Sequence, residues 1–262
     1  MRVSRGLEQM APSTDPSFLV IGVFDGLHLG HAYLLERLVD AARLRSARPT
    51  VITFDHHPDE ILTGSAPPLL CDPEERLERI AAAGVDTTVV VHFDQRLRQT
   101  PFDAFVGMVA DRGPIAGFLM TPDAAFGYQR GGTPTTLAAM GAERDFEVSV
   151  VPPFTLGGRV VRSSEVRTAI SVGDLSLARR LLGRPHAVVG EASSGGGEAA
   201  LEFPLPVALP PDGPWRATIT IEGAPVPATV SVRDGRIYLP IPDRTTGRVR
   251  VELLGGANDP AD

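Results

Sequence analysis

The chain has 262 residues, room for one large domain or two modest ones. Its 43% hydrophobic and 22% charged residues are those of a globular protein, and a net charge of −7 argues against a duplex-binding protein. A single cysteine, Cys71, excludes an internal disulfide. The opening "MRVSRGLEQMAPSTDP" has no apolar leader pattern and no run approaches a membrane span, so a cytoplasmic protein that binds no membrane is expected. All 25 basic residues are arginine, which makes any phosphate-binding cation Arg or protonated His.

Residues 18–24, "FLVIGVF", are apolar without alternation, as in a strand covered on both faces. In "AYLLERLVDAARLR" (32–45), Leu34, Leu35, Leu38 and Ala42 share one helical face. Strands are then expected at 50–54, 87–93, 116–122 and 147–154, with helices at 73–84 and 101–113. This alternation implies an α/β fold with a Rossmann-like parallel sheet, whose ligands sit beyond the carboxyl ends of the strands. From about Ala187 the pattern changes. A flexible stretch, "SSGGGEAA" (193–200), precedes the alternating runs 215–223, 226–235, 236–242 and 247–255, joined by Glu-Gly, Asp-Gly and Pro turns. These predict a small antiparallel β-barrel-like domain. The expected domains are 15–186 and 187–255.

His28 and His31 fall where the first strand hands over to the first helix, where unpaired N–H groups and the helix dipole favour an anion. Gly26 and Gly30 would let the backbone approach a phosphate closely. Two imidazoles there can donate to oxygens that gain charge during phosphoryl transfer. Two surface histidines on a loop are the plainer alternative.

The stretch "GVFDGLHLGH" closely resembles the first motif of bacterial FAD synthetases, whose adenylylating half belongs to the HxGH nucleotidylyltransferases. Three further pieces follow in order. "TFDHHPDEIL" (53–62) resembles the TFxPHP segment, with His56 where proline is usual. "TPDAAFGYQRGG" (121–132) is similar to the G-x-D/N-F-x-F-G loop and keeps Asp123, Phe126 and Gly127, but has Ala124 and Ala125 in place of an aromatic and its neighbour. "VRSSEVRTAI" (161–170) matches the I/V-S-S-T-x-I-R segment with Ser163, Ser164 and Arg167. The resemblance covers about residues 15–190.

It implies that FMN attacks the α-phosphorus of ATP in line, with Mg²⁺, giving FAD and pyrophosphate, and that His28 and His31 are catalytic. It also implies a nucleotide site made of Gly22, Phe24, Asp25, Gly26, Gly30, Asp123, Arg159, Ser163, Ser164 and Arg167. The acceptor would meet His57, Pro58, Phe126 and Gly127. Plainer readings stand beside these roles: Ser164 as a helix N-cap, Asp123 as a turn former, and His57-Pro58 as turn chemistry. No protein residue is assigned as a metal ligand.

In bifunctional members of the family a riboflavin kinase barrel follows. Its G-F-P-T-A-N motif is here "EFPLPV" (202–207), and Leu205 and Val207 cannot coordinate Mg²⁺, which needs oxygen ligands. Glu252, in an alternating strand, reads as a solvated face residue, so no riboflavin kinase activity is expected. Three functions are carried forward: an FMN adenylyltransferase, a nucleotidylyltransferase for another phosphorylated acceptor, and a non-catalytic flavin- or nucleotide-binding protein. The expected partners are small molecules, not nucleic acid, and self-association through the C-terminal strands is left open.

Overall fold

The computed structural model describes residues 1–195, 198–240 and 247–257. They group into two compact units, Met1–Pro67 with Pro73–Val160, and Pro68–Asp72 with the chain from Val161.

The first unit contains β1 (Arg2–Arg5), β2 (Ser17–Ile21), α1 (Leu29–Leu44), β3 (Arg48–Phe54), α2 (Pro58–Thr63), α3 (Pro73–Ala82), β4 (Thr87–Val91), α4 (Gln95–Arg98), α5 (Phe102–Ala110), β5 (Ile115–Met120), α6 (Pro134–Arg144), β6 (Glu147–Val150), β7 (Thr155–Leu156) and β8 (Arg159–Val160). Six strands pair in parallel in the order β1-β4-β3-β2-β5-β6. This is the expected α/β sheet. Phe18 and Val20 of β2 pack in one apolar cluster with Leu35, Leu38 and Ile80, while Leu19 packs in another with Ile52, Phe105 and Leu137. Burial on both faces is why β2 is apolar without alternation.

The strands are shorter at their carboxyl ends than the apolar runs suggest. Runs 18–24, 87–93 and 116–122 stop pairing at Ile21, Val91 and Met120. The residues beyond line a cavity and loops instead, so apolar content outlasts the ladder. Six elements of this unit were not anticipated, among them the short α4, β7 and β8. β1, with the sequence RVSR, is too short and charged to show a pattern, α2 follows the His57-Pro58 turn, and α6 starts at a capping box in which Thr133 and Thr136 bond reciprocally, with Pro134 in the first turn.

The second unit contains α7 (Ser163–Ser171), α8 (Leu175–Leu182), β9 (His186–Gly195), β10 (Glu198–Glu202), β11 (Gly213–Ile221), β12 (Ala224–Arg233), β13 (Arg236–Leu239) and β14 (Gly247–Gly256). The six strands close an antiparallel barrel in the order β10-β13-β12-β11-β14-β9. Helix α8 buries Leu175, Ala178, Leu181 and Leu182 and packs on β9 and β14. The two helices, placed before residue 187 in the sequence reading, thus group with the barrel.

The stretch 193–200 is not a free linker. Ser193 pairs with Ala200 and Ala192 with Leu201, and the buried Ala192, Ala199 and Leu201 tie this hairpin to the barrel core. Residues 196–197 of that stretch, and 241–242 of the run expected at 236–242, lie outside the described residues. Glu252 is partly buried and accepts from Arg250 at 2.6 Å. Cys71, the single cysteine of the sequence, is buried. No helix among the described residues is long and apolar enough to cross a membrane.

Candidate active site at the carboxyl edge of the sheet

After Ile21 the chain makes a strained turn before α1. Phe24 (φ 54), Gly26 (φ 78) and Leu27 (φ 39) all have left-handed backbones. For Phe24 and Leu27 that conformation costs about 1–3 kcal/mol each, so the surroundings must hold it. They do so by burial: Phe24 and Leu27 sit in the apolar cluster beside Leu35 and Ile80. Buried polar donors hold the turn as well. Thr53 donates its hydroxyl to the Val23 carbonyl at 3.0 Å, and the buried Arg76 of α3 donates to the Val23 carbonyl at 3.2 Å and to the Phe54 carbonyl at 2.9 Å. Asp25, also buried, lies in the same turn, against which α3 packs.

This turn delivers His28 as the N-cap of α1. Its Nδ1 accepts the His31 N–H at 3.3 Å, which in the neutral ring leaves the proton on Nε2 as a donor. The rings of His28 and His31 stack with centroids 3.8 Å apart, and Phe24 lies 5.1 Å from His31 at a tilt. Burial, with the neighbouring His28 adding to it, holds the His31 imidazole well below its ordinary value of 6.5. His31 is therefore neutral near pH 7 in the free protein. Its Nδ1 is buried without a hydrogen-bond partner. The first intrahelical bond runs from the Ala32 N–H to the His28 carbonyl, so the amides of Leu29 and Gly30 precede the ladder at the positive end of a 16-residue helix. Neutral imidazole N–H groups and helix-end amides suit phosphate oxygens.

A cavity of about 590 Å³ opens in the same unit. Its walls include the carboxyl-end residues of β2 and β5, the neighbouring strands between which the strand order reverses. Parallel α/β sheets bind ligands at such a switch point. Gly22, His57, Pro58, Phe126 and Gly127 all line it, as do Ala124 and Ala125. Four of the five named positions thus come from two loops 69 positions apart in the chain. Gly127 has φ 75, and a Cβ there would meet the Phe102 backbone at 2.7 Å, so the loop requires glycine.

The remaining expected residues are placed as follows. Asp123 accepts from the Thr121 hydroxyl at 2.9 Å, and its carbonyl accepts from Arg130, a cavity residue, at 3.1 Å. His57 is the N-cap of α2, accepting the Asp59 N–H at 3.2 Å, so its turn chemistry and its place in the cavity wall coexist. Arg159 is exposed in the β7–β8 hairpin. Ser163, Ser164 and Arg167 lie on α7 of the second unit, where Arg167 donates to the Pro68 carbonyl at 2.8 Å. Ser164 is not the N-cap: Arg162, with φ −133 and ψ 155, holds that position, which places the two serines in the first turn.

Sequence reasoning missed Arg76, Arg98 and Arg130. The clue to Arg76 was its position four residues before Ile80 on the apolar face of α3. Arg98 and Arg130, with Asp59, are the charged residues of the cavity wall, otherwise largely aromatic and aliphatic.

Residues 10–165 match the family model described as FAD synthetase. Over 257 residues the chain is 29% identical to a bifunctional riboflavin kinase/FMN adenylyltransferase of Pseudomonas fluorescens, covering 92% of this chain and 82% of that one. With the protein of the same description from Escherichia coli K12 it shares 32% over 198 residues, 74% of this chain and 63% of the relative. The chain thus spans less than two thirds of the E. coli relative's length. A crystal structure described as a macrolide-efflux protein from Streptococcus pneumoniae superposes with a TM-score of 0.81 at 23% identity, over 100% of this chain and 91% of that one, a likeness of fold.

Proposed function

The chain belongs to the FAD synthetase family, nucleotidyltransferases of the FMN adenylyltransferase type that use ATP and FMN, and from that premise we propose that it transfers AMP from Mg-ATP to FMN without riboflavin kinase activity. The observation that carries this reading is the stacked His28–His31 pair at the N-terminus of α1, in the unit whose switch-point cavity gathers the two acceptor loops. In the proposed reaction a phosphate oxygen of FMN attacks the α-phosphorus of ATP, the bond to the β-phosphate bridge breaks, and pyrophosphate leaves. A phosphate monoester dianion needs no general base, so positioning and charge stabilisation carry the rate.

His28 and His31 donate N–H groups to oxygens whose charge grows in the transition state, and the amides at the start of α1 add to that field. His31 starts neutral, held there by burial, so an incoming phosphate draws a proton toward it and strengthens the contact. The donor set is one for anions, so Mg²⁺ arrives with the ATP phosphates as part of the substrate. The aromatic cavity, within the size range of small-molecule sites, suits a planar heteroaromatic ring. Loss of kinase activity is supported by Leu205 and Val207, whose side chains have no oxygen to offer a hard cation.

A second reading has its own observation. Ala124 and Ala125 both line the cavity where the family resemblance has an aromatic, which leaves room for a different phosphorylated acceptor.

The test is pyrophosphate release from Mg-ATP with FMN, with riboflavin, and with a panel of other phosphomonoesters. Turnover with FMN alone, abolished in the His28→Ala, His31→Ala double variant, is the expected result. Turnover only with another phosphomonoester selects the second reading. Turnover from riboflavin overturns the loss of kinase activity.

A further inference from the structure

Strands β3 and β4 pair in parallel with Phe54 opposite Val91, so the residues after each strand, Asp55 and His92, emerge side by side at the carboxyl edge. There the Asp55 carboxylate is held by the backbone, one oxygen accepting the N–H groups of His56 at 2.7 Å and Phe93 at 3.1 Å. Its other oxygen lies 2.6 Å from His92 Nδ1. The His56 ring sits edge-on to that of His92, with centroids 5.7 Å apart. One ligand atom from each of the three residues lies within 4.8 Å of the others.

We propose that Asp55, His56 and His92 bind a divalent transition-metal ion of the Zn²⁺ class. Two imidazoles and a carboxylate form a donor set for Zn²⁺ and its neighbours, with the fourth position left to water. Their present spacing is slightly wider than ligands about 2.0–2.2 Å from one ion would have, and small side-chain rotations close the difference. His56 Nδ1 lies 3.0 Å from the Glu60 carboxylate one helical turn on. A metal-bound imidazole commonly has such a carboxylate on its other nitrogen, and it leaves His56 Nε2 for the ion. The His92 side chain is 65% exposed, which gives an ion its entry path.

None of the three residues lines the cavity, whereas their chain neighbours Phe54, His57 and Phe93 do. A bound ion therefore ties together the ends of β3 and β4 behind one cavity wall. Mg²⁺, a hard ion that prefers oxygen, is a poor occupant, which separates this site from the ion that accompanies ATP.

The test is calorimetric titration of the chelator-treated full-length protein with Zn²⁺ at pH 7.5, with the melting temperature as a second readout. One ion per chain is expected, with a rise in melting temperature, as for any ligand of the native state. His92→Ala and His56→Ala should each weaken binding at least tenfold. The exposed His92 can be removed with the fold intact, which far-UV circular dichroism verifies. Binding should persist in the His28→Ala, His31→Ala double variant, and Mg²⁺ should neither bind nor compete. Absence of saturable Zn²⁺ binding overturns the proposal. So does wild-type affinity in His92→Ala and His56→Ala, or loss of binding in the His28, His31 double variant.

Discussion

In the sheet unit the buried polar side chains Asp25, His28, Thr53 and Arg76 gather around the turn between β2 and α1, whereas the barrel interior is built from Leu201, Ile219, Val230, Val232, Ile237, Val249 and Val251. Among the described residues of the second unit only His186 is a buried polar side chain, and its Nε2 lies 2.8 Å from the Ala208 carbonyl. Burying a polar group costs free energy unless it finds a partner. The sheet unit accepts that cost where a strained turn must present two imidazoles. The barrel, filled by aliphatic side chains, meets only the demands of packing. Variants in the two regions should therefore fail differently: in the first by losing chemistry, in the second by losing stability.

The largest expected effect is chemical. His28→Ala or His31→Ala should lower kcat for AMP transfer about 10²–10³-fold, by analogy with removing a single oxyanion donor. Pyrophosphate-release kinetics would measure it, and a change in KM alone would assign the histidines to binding. Next comes Leu201→Ala in the barrel, where a fully buried side chain is truncated. It should cost about 2–5 kcal/mol in denaturant unfolding while the folded protein keeps its kcat, and a matching loss of kcat would remove the distinction between the regions.

Arg76→Met tests the support of the turn. The Val23 and Phe54 carbonyls each lose a charged donor, and a destabilisation of about 1–3 kcal/mol is expected, together with a fall in kcat that Leu201→Ala does not share. The smallest effect is on pH dependence. The unfolded chain protonates at His31 near its ordinary value of 6.5, whereas the folded chain does so only at lower pH. The stability tied to this group is thus complete above about pH 6.5 and declines as pH falls, by at most about 1.4 kcal/mol per pH unit. Melting curves of wild type and His31→Gln between pH 7.5 and 5.5 should converge toward the acid end.

Much of this was legible in the sequence, because it is local. The H-x-G-H spacing across the turn, the run buried on both faces at β2, and the alternation of β11, β12 and β14 each depend on residues a few positions apart, and periodicity reports such relations directly. Other features arise only when distant segments meet. Arg76 reads as one more charge on an amphipathic helix until α3 packs against the turn after β2 and buries it. The stretch 193–200 reads as a linker until barrel closure buries Ala199 and Leu201. His56 and His92 are 36 positions apart in the chain, and only the parallel register of β3 and β4 makes them neighbours. The cavity draws its walls from loops spread over residues 20–130, so its shape is decided by strand order, which local pattern does not encode.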